Sequence, residues 1–293
     1  MRWLFVVNAK AGRRPVDLNE LRRIIADRHI DAVIAETASV HEIRSAVEQA
    51  EREGVDGYVA VGGDGSAHHL LNALMALNPD SPVVFGVIAS GSGSDFVRTF
   101  GHTTDISSSI DRLVACDLYR VDIGHVTHGE GSAFFLNALN AGVAAASVQV
   151  AERMPRQLGS VRYTTAFWGA LARFRQAVVE VAIDHHRFSD EAINVVVANG
   201  QFFGGGLNIA PKATLVDGLF DVQIFSGPKR NAFTVMPRLV FGSHMTHRAV
   251  RRYVGSSLQI NVPEDWPLEA DGEVLGSGSA TVTMHAGAVD FVI

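Results

Sequence analysis

The chain has 293 residues, of which 47% are hydrophobic and 19% charged, so the composition excludes an intrinsically disordered protein and the length suits two domains. Its 25 Lys and Arg residues against 31 Asp and Glu residues give a net charge of −6, which excludes a basic nucleic-acid-binding module. The single cysteine, Cys116, excludes an internal disulfide framework and a cysteine-based zinc site, and it fits a reducing compartment.

The first 120 residues predict strands that alternate with helices. Short apolar runs predict buried strands at 3–7, 32–35, 58–61 and 82–88. We expect Pro15 to open the first helix, and Ser39 and Glu42 have the spacing of a capping box ahead of the second. This alternation predicts an N-terminal Rossmann-like α/β domain, in which a parallel sheet is covered by helices on both faces.

Beyond about residue 120 the pattern becomes mainly strand-like. Apolar segments punctuated by glycine and serine predict strands at 192–198, 218–225, 258–262, 280–285 and 288–293. Two stretches predict helices instead, at 158–179 and 231–241. This half of the chain favours a β-rich, sandwich-like domain, and a boundary at Val121–Asp122 gives domains 1–122 and 123–293.

A glycine-rich loop, Gly62-Gly63-Asp64-Gly65-Ser66, lies between the third predicted strand and the helix that follows it. Glycines let a ligand approach the backbone closely, and the helix start offers unpaired N–H groups to an anion. Because Asp64 would repel a bare phosphate, the loop indicates a bridging cation or a hydrogen-bonding role for this carboxylate. A tight strand-to-helix turn without a ligand is the alternative interpretation.

A second loop of the same kind follows the next predicted strand, at 89–94, and leads into Asp95. The carboxyl ends of parallel strands share one edge of a sheet, so we expect the two loops to face the same crevice. The sequence contains neither a P-loop motif nor a dinucleotide-binding fingerprint, and it has no nucleophile elbow of the hydrolase type.

Taken in order, these motifs resemble the diacylglycerol kinase catalytic domain, which is shared by bacterial lipid kinases, sphingosine kinases and, more remotely, NAD kinases. The matching segments run through nearly the whole chain, at 8–12, 62–66, 91–98, 121–124, 211–213, 216–221 and 269–273. The ordered set is more specific than any single motif. The resemblance implies an ATP- and Mg²⁺-dependent lipid kinase that phosphorylates a hydroxyl of diacylglycerol or a related lipid.

The resemblance also implies which residues contact the cofactors. The positions that match nucleotide-binding residues are Asn8, Thr37, Gly62, Gly63, Asp64, Gly65, Ser66 and Ser92. Asp95 and Asp122 match acidic positions near the metal–nucleotide site. Asp217, with the backbone of Thr214 and Leu219, resembles a structural magnesium site of the bacterial members.

The segment Asp271-Gly272-Glu273 matches the proposed catalytic base of the family. A lipid hydroxyl must lose its proton as it attacks the γ-phosphorus, and a carboxylate within hydrogen-bond reach accepts it. Two acids placed two apart on a strand point the same way, so we expect Asp271 and Glu273 to serve one site, unless Gly272 makes a turn. A surface Asp-Gly hairpin with an incidental glutamate is the alternative.

Several positions depart from the family pattern. His68 and His69 stand where the family commonly has an Asn-Glu pair, and Ser90, Ser92 and Ser94 stand where it often has Pro, Thr and Asn. Ser92 keeps the hydroxyl that would contact phosphate. The departures bear on the identity of the acceptor more than on kinase activity itself. Two alternatives therefore stay open: a kinase of a soluble acceptor such as NAD, and a non-catalytic sensor of nucleotide or lipid.

The segment from Val222 to Pro263 contains six basic residues and no acidic one; the basic residues are Lys229, Arg230, Arg238, Arg248, Arg251 and Arg252. We expect the part between 229 and 252 to face anionic lipid, at up to about 1 kcal/mol for each cation. A solvated face with partners elsewhere in the fold is the alternative. The aromatic stretch 162–174 is interpreted as core, with lipid contact as its alternative.

These features give expectations for location and partners. The apolar run at 3–7 is too short for the core of a signal peptide, and the uncharged stretch from Gly131 to Ala151 carries polar Asn137 and Asn140. We expect a cytoplasmic protein, peripheral on the inner face of the membrane, with a lipid substrate and no nucleic-acid partner. A homodimer stays open.

Overall fold

The computed structural model describes residues 1–8, 16–79, 81–89, 94–102, 105–155, 158 and 161–293. The chain divides into two compact units, one formed by Met1–Asp122 together with Ala286–Ile293 and the other by Ile123–His285. The predicted second domain of 123–293 therefore differs in its last eight residues, which belong to the N-terminal unit.

The N-terminal unit alternates strands and helices. Its elements in chain order are β1 (Arg2–Asn8), α1 (Leu18–Asp27), β2 (Asp31–Thr37), α2 (Val40–Arg52), β3 (Gly57–Gly62), α3 (Asp64–Leu77), β4 (Val83–Ala89), α4 (Asp95–Thr99) and α5 (Ile106–Ala115). Two more strands contain residues of both units, β5 (Leu118–His128) and β17 (Ala280–Val292). The sheet is parallel, in the order β2-β1-β3-β4-β17, which confirms the predicted α/β architecture.

Short polar side chains set the starts of the first two helices. The Asp17 carboxylate accepts hydrogen bonds from the backbone N–H groups of Asn19 and Glu20, and it caps α1. Pro15, which the sequence places at this start, lies outside the described residues. One bond of the predicted capping box is present at α2, where the Ser39 hydroxyl accepts from the N–H of Glu42 at 3.3 Å; the Glu42 carboxylate accepts from the N–H of Ala38 at 2.7 Å.

The pairing of the last strand explains why residues 286–293 belong to the N-terminal unit. Val289–Phe291 pair in parallel register with Val83–Phe85 of β4, so this end of β17 extends the N-terminal sheet. The sequence predicts two strands, at 280–285 and 288–293, where the structure has one continuous strand. Gly287 interrupts the apolar pattern, yet it continues the strand with a positive φ of 61°.

The C-terminal unit is β-rich, as predicted. Its elements are β6 (Gly131–Phe135), β7 (Ala138–Gly142), α6 (Val143–Glu152), α7 (Val161–Arg173), β8 (Ala177–Ile183), β9 (His186–Ala198), β10 (Phe202–Phe203), β11 (Leu207–Asn208), β12 (Phe220–Ser226), α8 (Ala232–Leu239), β13 (Val250–Gly255), β14 (Ser257–Asn261), β15 (Pro267–Ala270) and β16 (Glu273–Ser277). Strand β9 lies between β7 and β8 and also pairs with β12, and all three of these pairings are antiparallel.

Alternate residues of β9 face two different cores, as the pleat of a strand requires. Val195 and Val197 pack with Phe135 and Phe220, whereas Val196 packs on the side that α7 and α8 cover. The helix predicted at 158–179 is wrong at its end, because α7 ends at Arg173 and the β-branched run from Ala177 forms β8. In the described parts of the chain, no helix combines the length and the apolar character that crossing a membrane requires.

Candidate functional site

The carboxyl edge of the N-terminal sheet brings several predicted nucleotide-binding residues together. Asn8 ends β1, Thr37 ends β2, and Gly62 ends β3. Asn8 and Thr37 are register partners in the parallel ladder. In the sheet, β2 lies on one side of β1 and β3 lies on the other, so the strand order reverses at β1. Open α/β sheets bind ligands at such a topological switch point.

Thr37 has an unusual environment at this edge. Its side chain is only 3% exposed, and its hydroxyl oxygen has no hydrogen-bond partner among the described residues. A buried hydroxyl without a partner costs about 1–3 kcal/mol, so its retention needs an explanation. A ligand atom at this edge would supply the missing partner.

The start of α3 is open to an anion. Gly63 is the N-cap residue, and it has no side chain that could cap the helix. Its φ of −95° suits any residue, and a Cβ atom added there would find no atom of the described residues within 4 Å. Neither the backbone conformation nor the packing of these residues requires glycine, so the missing side chain leaves room for a ligand beside the helix N–H groups.

Asp64 connects the two glycine-rich loops. One carboxylate oxygen accepts from the Ser94 hydroxyl at 3.0 Å, and the other accepts from the backbone N–H of Asp95 at 3.2 Å. The Asn8 amide also donates to the Ser66 hydroxyl, over 3.4 Å. Side chains thus connect the end of β1 with α3, and the start of α3 with Ser94, the described end of the second loop. These parts of the two loops lie together, as their sequence positions predict. Ser92 lies outside the described residues.

The remaining acidic residues of this unit have contacts of their own. Asp95 is buried and lies 3.7 Å from the Arg98 guanidinium. Asp122 is buried, and it accepts a hydrogen bond of 2.7 Å from the backbone N–H of Gly287. Across the described ranges of the chain, no three His, Cys, Asp or Glu side chains cluster in a way that suits a metal ion. Asp64, Asp95 and Asp122 thus do not form a ready-made metal cage.

The loop predicted to hold a structural magnesium ion lies before β12. Asp217 and Thr214 are exposed, and one carboxylate oxygen of Asp217 accepts from the backbone N–H of Leu219 at 3.1 Å. A carboxylate with two backbone carbonyl groups offers oxygen ligands, which Mg²⁺ prefers together with several waters. The donor set fits the ion, and the role of these three residues stays a prediction.

In the C-terminal unit, Asp271 and Gly272 form the turn of the hairpin between β15 and β16. Their φ angles are 52° and 88°, the two positive values of a type I′ turn, for which Asp-Gly is a favoured sequence. The two acids are therefore not on one continuous strand, because Asp271 lies in the turn and Glu273 begins β16. Gly272 thus makes the turn that the sequence analysis named as the exception to a shared strand face.

The Asp271 carboxylate holds this turn against the connection between β6 and β7. It accepts hydrogen bonds from the backbone N–H groups of Leu136 and Asn137, both at 2.8 Å, and of Ala138 at 3.3 Å. Asp271 is buried, whereas Glu273 is half-buried. These contacts give Asp271 an anchoring function in the fold and make Glu273 the more accessible of the two carboxylates.

Glu269 is a further acidic residue of this hairpin, and sequence reasoning assigned it no role. It is fully buried, and its carboxyl oxygens accept from the Asn140 amide at 2.6 Å and from the backbone N–H of Gly272 at 2.8 Å. Burial raises its pKa to about 8, and the nearby charges of Asp271 and Glu273 act in the same direction. The hydrogen bonds from Gly272 and Asn140 oppose this rise in the pKa.

A buried polar network extends from Glu269. The Asn140 carbonyl oxygen accepts from the Asn194 amide at 3.1 Å, and Asn194 accepts from the backbone N–H of Ala144 in the first turn of α6. The signal in the sequence is two asparagines inside otherwise apolar strands, because buried polar side chains need partners. The hairpin turn and the start of α6 are thus connected through three side chains.

Comparisons with known proteins agree with this architecture. The profile of the diacylglycerol kinase catalytic domain matches residues 2–126, and the profile of the YegS C-terminal NAD kinase beta sandwich-like domain matches residues 137–293. Lipid kinase YegS of Escherichia coli strain K12 is 23% identical over 275 residues, which cover 93% of this chain and 89% of that protein. The diacylglycerol kinase of Bacillus subtilis strain 168 is 28% identical over 245 residues, which cover 83% of this chain and 78% of that protein.

A solved structure shares the fold. The crystal structure of a diacylglycerol kinase from Bacillus anthracis strain Sterne superposes with a TM-score of 0.74 at 19% identity, over 99% of this chain and 96% of that one. The fold is thus that of an α/β unit followed by a β-rich unit. The chain belongs to the diacylglycerol kinase catalytic-domain family, in the form that continues into a YegS-type C-terminal domain, and the resemblance found in the sequence is confirmed.

Proposed function

We propose that this protein is a lipid kinase that transfers the γ-phosphate of MgATP to a hydroxyl group of diacylglycerol or a related lipid. Family membership and the names of the relatives support a lipid acceptor. The nucleotide part of the proposal rests on the start of α3. Its N-cap residue, Gly63, has no side chain to cap the helix, and a Cβ atom added there would meet no atom of the described residues within 4 Å. Such a helix start is a general site for phosphate.

Different residues of the carboxyl edge would bind different parts of ATP. The N–H groups at the start of α3 attract the phosphates, and the positive end of the helix dipole strengthens that attraction. The unpartnered Thr37 hydroxyl and the Asn8 amide would bind polar atoms of the nucleotide. Asp64 positions the second loop through Ser94 and the N–H of Asp95.

Magnesium enters this proposal as part of the substrate MgATP. The described acidic side chains form no cage for a metal, which suits an ion bound mainly by phosphate oxygens and water. Asp64, Asp95 and Asp122 would add a small number of oxygen contacts. The separate loop of Asp217, Thr214 and Leu219 would hold a second, structural ion.

The reaction also needs an acceptor for a proton. The lipid hydroxyl oxygen attacks the γ-phosphorus, the bond from that phosphorus to the bridging oxygen breaks, and ADP leaves. We assign Glu273 as the group that receives the hydroxyl proton, because its carboxylate is half-buried at the start of β16. Asp271, whose oxygens bind three backbone N–H groups, positions the turn that presents Glu273.

A transfer assay tests the proposal. Purified protein with labelled ATP and Mg²⁺ is given dispersed diacylglycerol, a panel of other hydroxylated lipids, and NAD as a soluble acceptor. We expect label in a lipid, loss of transfer in Glu273→Gln by at least about a hundredfold, and wild-type transfer in Glu264→Gln, which removes an exposed carboxylate on the same unit. Label in NAD alone would make it a kinase of a soluble acceptor. ATP binding without transfer to any acceptor would make it a sensor.

A further inference from the structure

Helix α8 has two apolar faces. One is buried: Ala232, Val235 and Leu239 belong to the core that α7 also covers. The other is exposed, with Phe233 at 66%, Val240 at 53% and Phe241 at 81% exposure. Phe233 and Val240, the C-cap residue, are seven positions apart and lie on the same side of the helix, and Phe241 follows Val240 directly.

Helix α7 contributes to the same surface. The Trp168 ring stacks on the Phe233 ring, with 4.7 Å between centroids and 20° between planes. Trp168 is half-buried and packs against the core beneath, so the stack gives Phe233 a rigid support. We call Trp168, Phe233, Val240 and Phe241 the α8 aromatic face. Monomeric proteins rarely expose clustered large apolar side chains without a partner.

Charge indicates the kind of partner. Arg238 is exposed on α8, and Lys229 and Arg230 lie in the 3₁₀ turn that leads into the helix. The Lys229 ammonium group donates to the carbonyl of Ala172 near the end of α7, which places it beside the two helices. The whole segment from Val222 to Pro263 lacks acidic residues. Aromatic side chains with adjacent cations are the combination that binds the interface of an anionic bilayer.

One of the six basic residues does not take part. The Arg252 guanidinium donates to the buried carboxylate of Asp221 at 2.6 Å, so its charge is compensated within the unit. Arg252 therefore follows the alternative interpretation of this segment, in which the partner of a cation lies elsewhere in the fold. Of the other five basic residues, Lys229, Arg230 and Arg238 lie in α8 or in the turn that leads into it, which places them near the α8 aromatic face.

We propose that the α8 aromatic face docks on an anionic lipid bilayer, with Phe233, Val240 and Phe241 entering the headgroup region and Arg230 and Arg238 contacting lipid phosphates. The proposal rests on the proposed lipid-kinase function only in that a membrane-borne substrate gives docking a purpose. Docking itself is measured without ATP and without turnover.

Sedimentation with vesicles tests the proposal. The probes are vesicles of phosphatidylcholine alone and of phosphatidylcholine with 30 mol% phosphatidylglycerol, at about 0.1 M salt. The double variant Phe233→Ser with Phe241→Ser should lower the partition coefficient on the anionic vesicles by about tenfold or more, since apolar burial drives insertion. The matched control, Leu77→Ser with Val114→Ser, changes two exposed apolar residues of the N-terminal unit and should bind like wild type.

A charge variant separates the two contributions. Arg230→Gln with Arg238→Gln should weaken binding to the anionic vesicles and leave binding to the neutral vesicles unchanged, and wild-type binding should fall as salt is raised. Circular dichroism melting checks that each variant is folded, which we expect because all the altered side chains are exposed.

The outcomes decide the proposal independently of kinase activity. Equal vesicle binding by wild type and the aromatic variant overturns it, as does a loss of self-association in sedimentation velocity without any loss of vesicle binding, which would assign the face to a second copy of the chain. If the kinase proposal holds, the aromatic variant should keep wild-type turnover on a water-dispersed short-chain diacylglycerol and lose it on vesicle-borne substrate. Failure of every transfer assay would leave the vesicle result standing.

Discussion

The carboxylate of Asp64, at the start of α3, accepts a hydrogen bond of 3.0 Å from the Ser94 hydroxyl group. Ser94 is the N-cap residue of α4, and the same carboxylate also accepts from the next backbone N–H, that of Asp95. The starts of two helices on one sheet edge are thus held by a single side chain. Asp64 consequently affects both the stability of the N-terminal unit and the geometry of the proposed nucleotide site.

Replacing Asp64 separates these effects. Asp64→Ala removes both hydrogen bonds, so we expect the free energy of unfolding to fall by about 1–3 kcal/mol and ATP binding to be lost. Ser94→Ala removes one bond and should cost less, about 1 kcal/mol. Urea unfolding and titration calorimetry with MgATP measure the two quantities. An Asp64→Ala protein as stable as wild type would contradict the bridging role.

Two glycines of the N-terminal unit should respond in opposite ways. Gly63→Ala places a methyl group where no atom of the described residues lies within 4 Å. Stability should therefore change by no more than about 1 kcal/mol, because a poorer helix cap and a stiffer unfolded chain oppose each other. ATP affinity should fall at least tenfold, since the methyl group would occupy the room beside the helix start. Thermal melting and calorimetry check both values.

Gly57→Ala is the matched comparison. A Cβ atom at Gly57 would overlap the ring of Trp3, which is buried in the core of the unit. We expect a loss of about 1–3 kcal/mol of stability, with the nucleotide affinity of the folded fraction unchanged. If Gly63→Ala destabilises as much as Gly57→Ala, the glycine at 63 is a packing requirement and not a ligand requirement.

Stability should depend on pH through Glu269. Its pKa is about 8 in the folded protein against 4.5 as the ordinary value, so between these values the folded state holds a proton that the unfolded chain has released. The free energy of unfolding should therefore fall as the pH rises from about 4.5 to 8. Glu269→Gln, which stays neutral, should lack this part of the slope. Urea unfolding of both proteins at pH 5, 6.5 and 8 measures it, and parallel profiles would contradict the assignment.

Asp271 and Glu273 should separate stability from activity. Asp271→Ala leaves three buried backbone N–H groups without their acceptor, and we expect a loss of about 3 kcal/mol or more. Glu273→Ala changes a half-buried side chain at a strand end, so stability should stay within about 1 kcal/mol while lipid phosphorylation is lost. Equal losses of stability in both variants would place Glu273 among the anchoring residues.

The carboxyl edge of the N-terminal sheet was predictable because its signals are local. Buried strands are recognisable as apolar runs, and the glycines that follow them mark the loops. Parallel pairing then places the ends of those strands at one edge, which is why the loops at 62–66 and 89–94 could be expected to face one crevice. Asn8 and Thr37 were assigned to the nucleotide site only through the family resemblance. Ser39 and its capping box could be recognised for the same reason, since four adjacent residues determine it.

Features that depend on distant partners were not predictable. The residues next to Glu269 in the sequence do not show that it is buried, because its hydrogen-bond partner Asn140 is 129 residues away in the chain. Arg252 looks unpaired in its own segment, and its partner Asp221 lies on the neighbouring strand β12. The prediction of two strands, at 280–285 and 288–293, was wrong because Gly287 resembles the end of a strand in the sequence. Only the pairing with β4 shows that the strand continues.

The pairing of β17 with β4 also bears on how the protein is made. Residues 289–291 form the part of β17 that pairs with β4. The N-terminal sheet therefore lacks this strand while those residues are still inside the ribosome. During synthesis the apolar β4 presents an open edge, the kind of surface that invites pairing with other chains. A gene fragment ending at residue 122 would keep that edge open permanently, and we expect it to aggregate where the full-length chain does not.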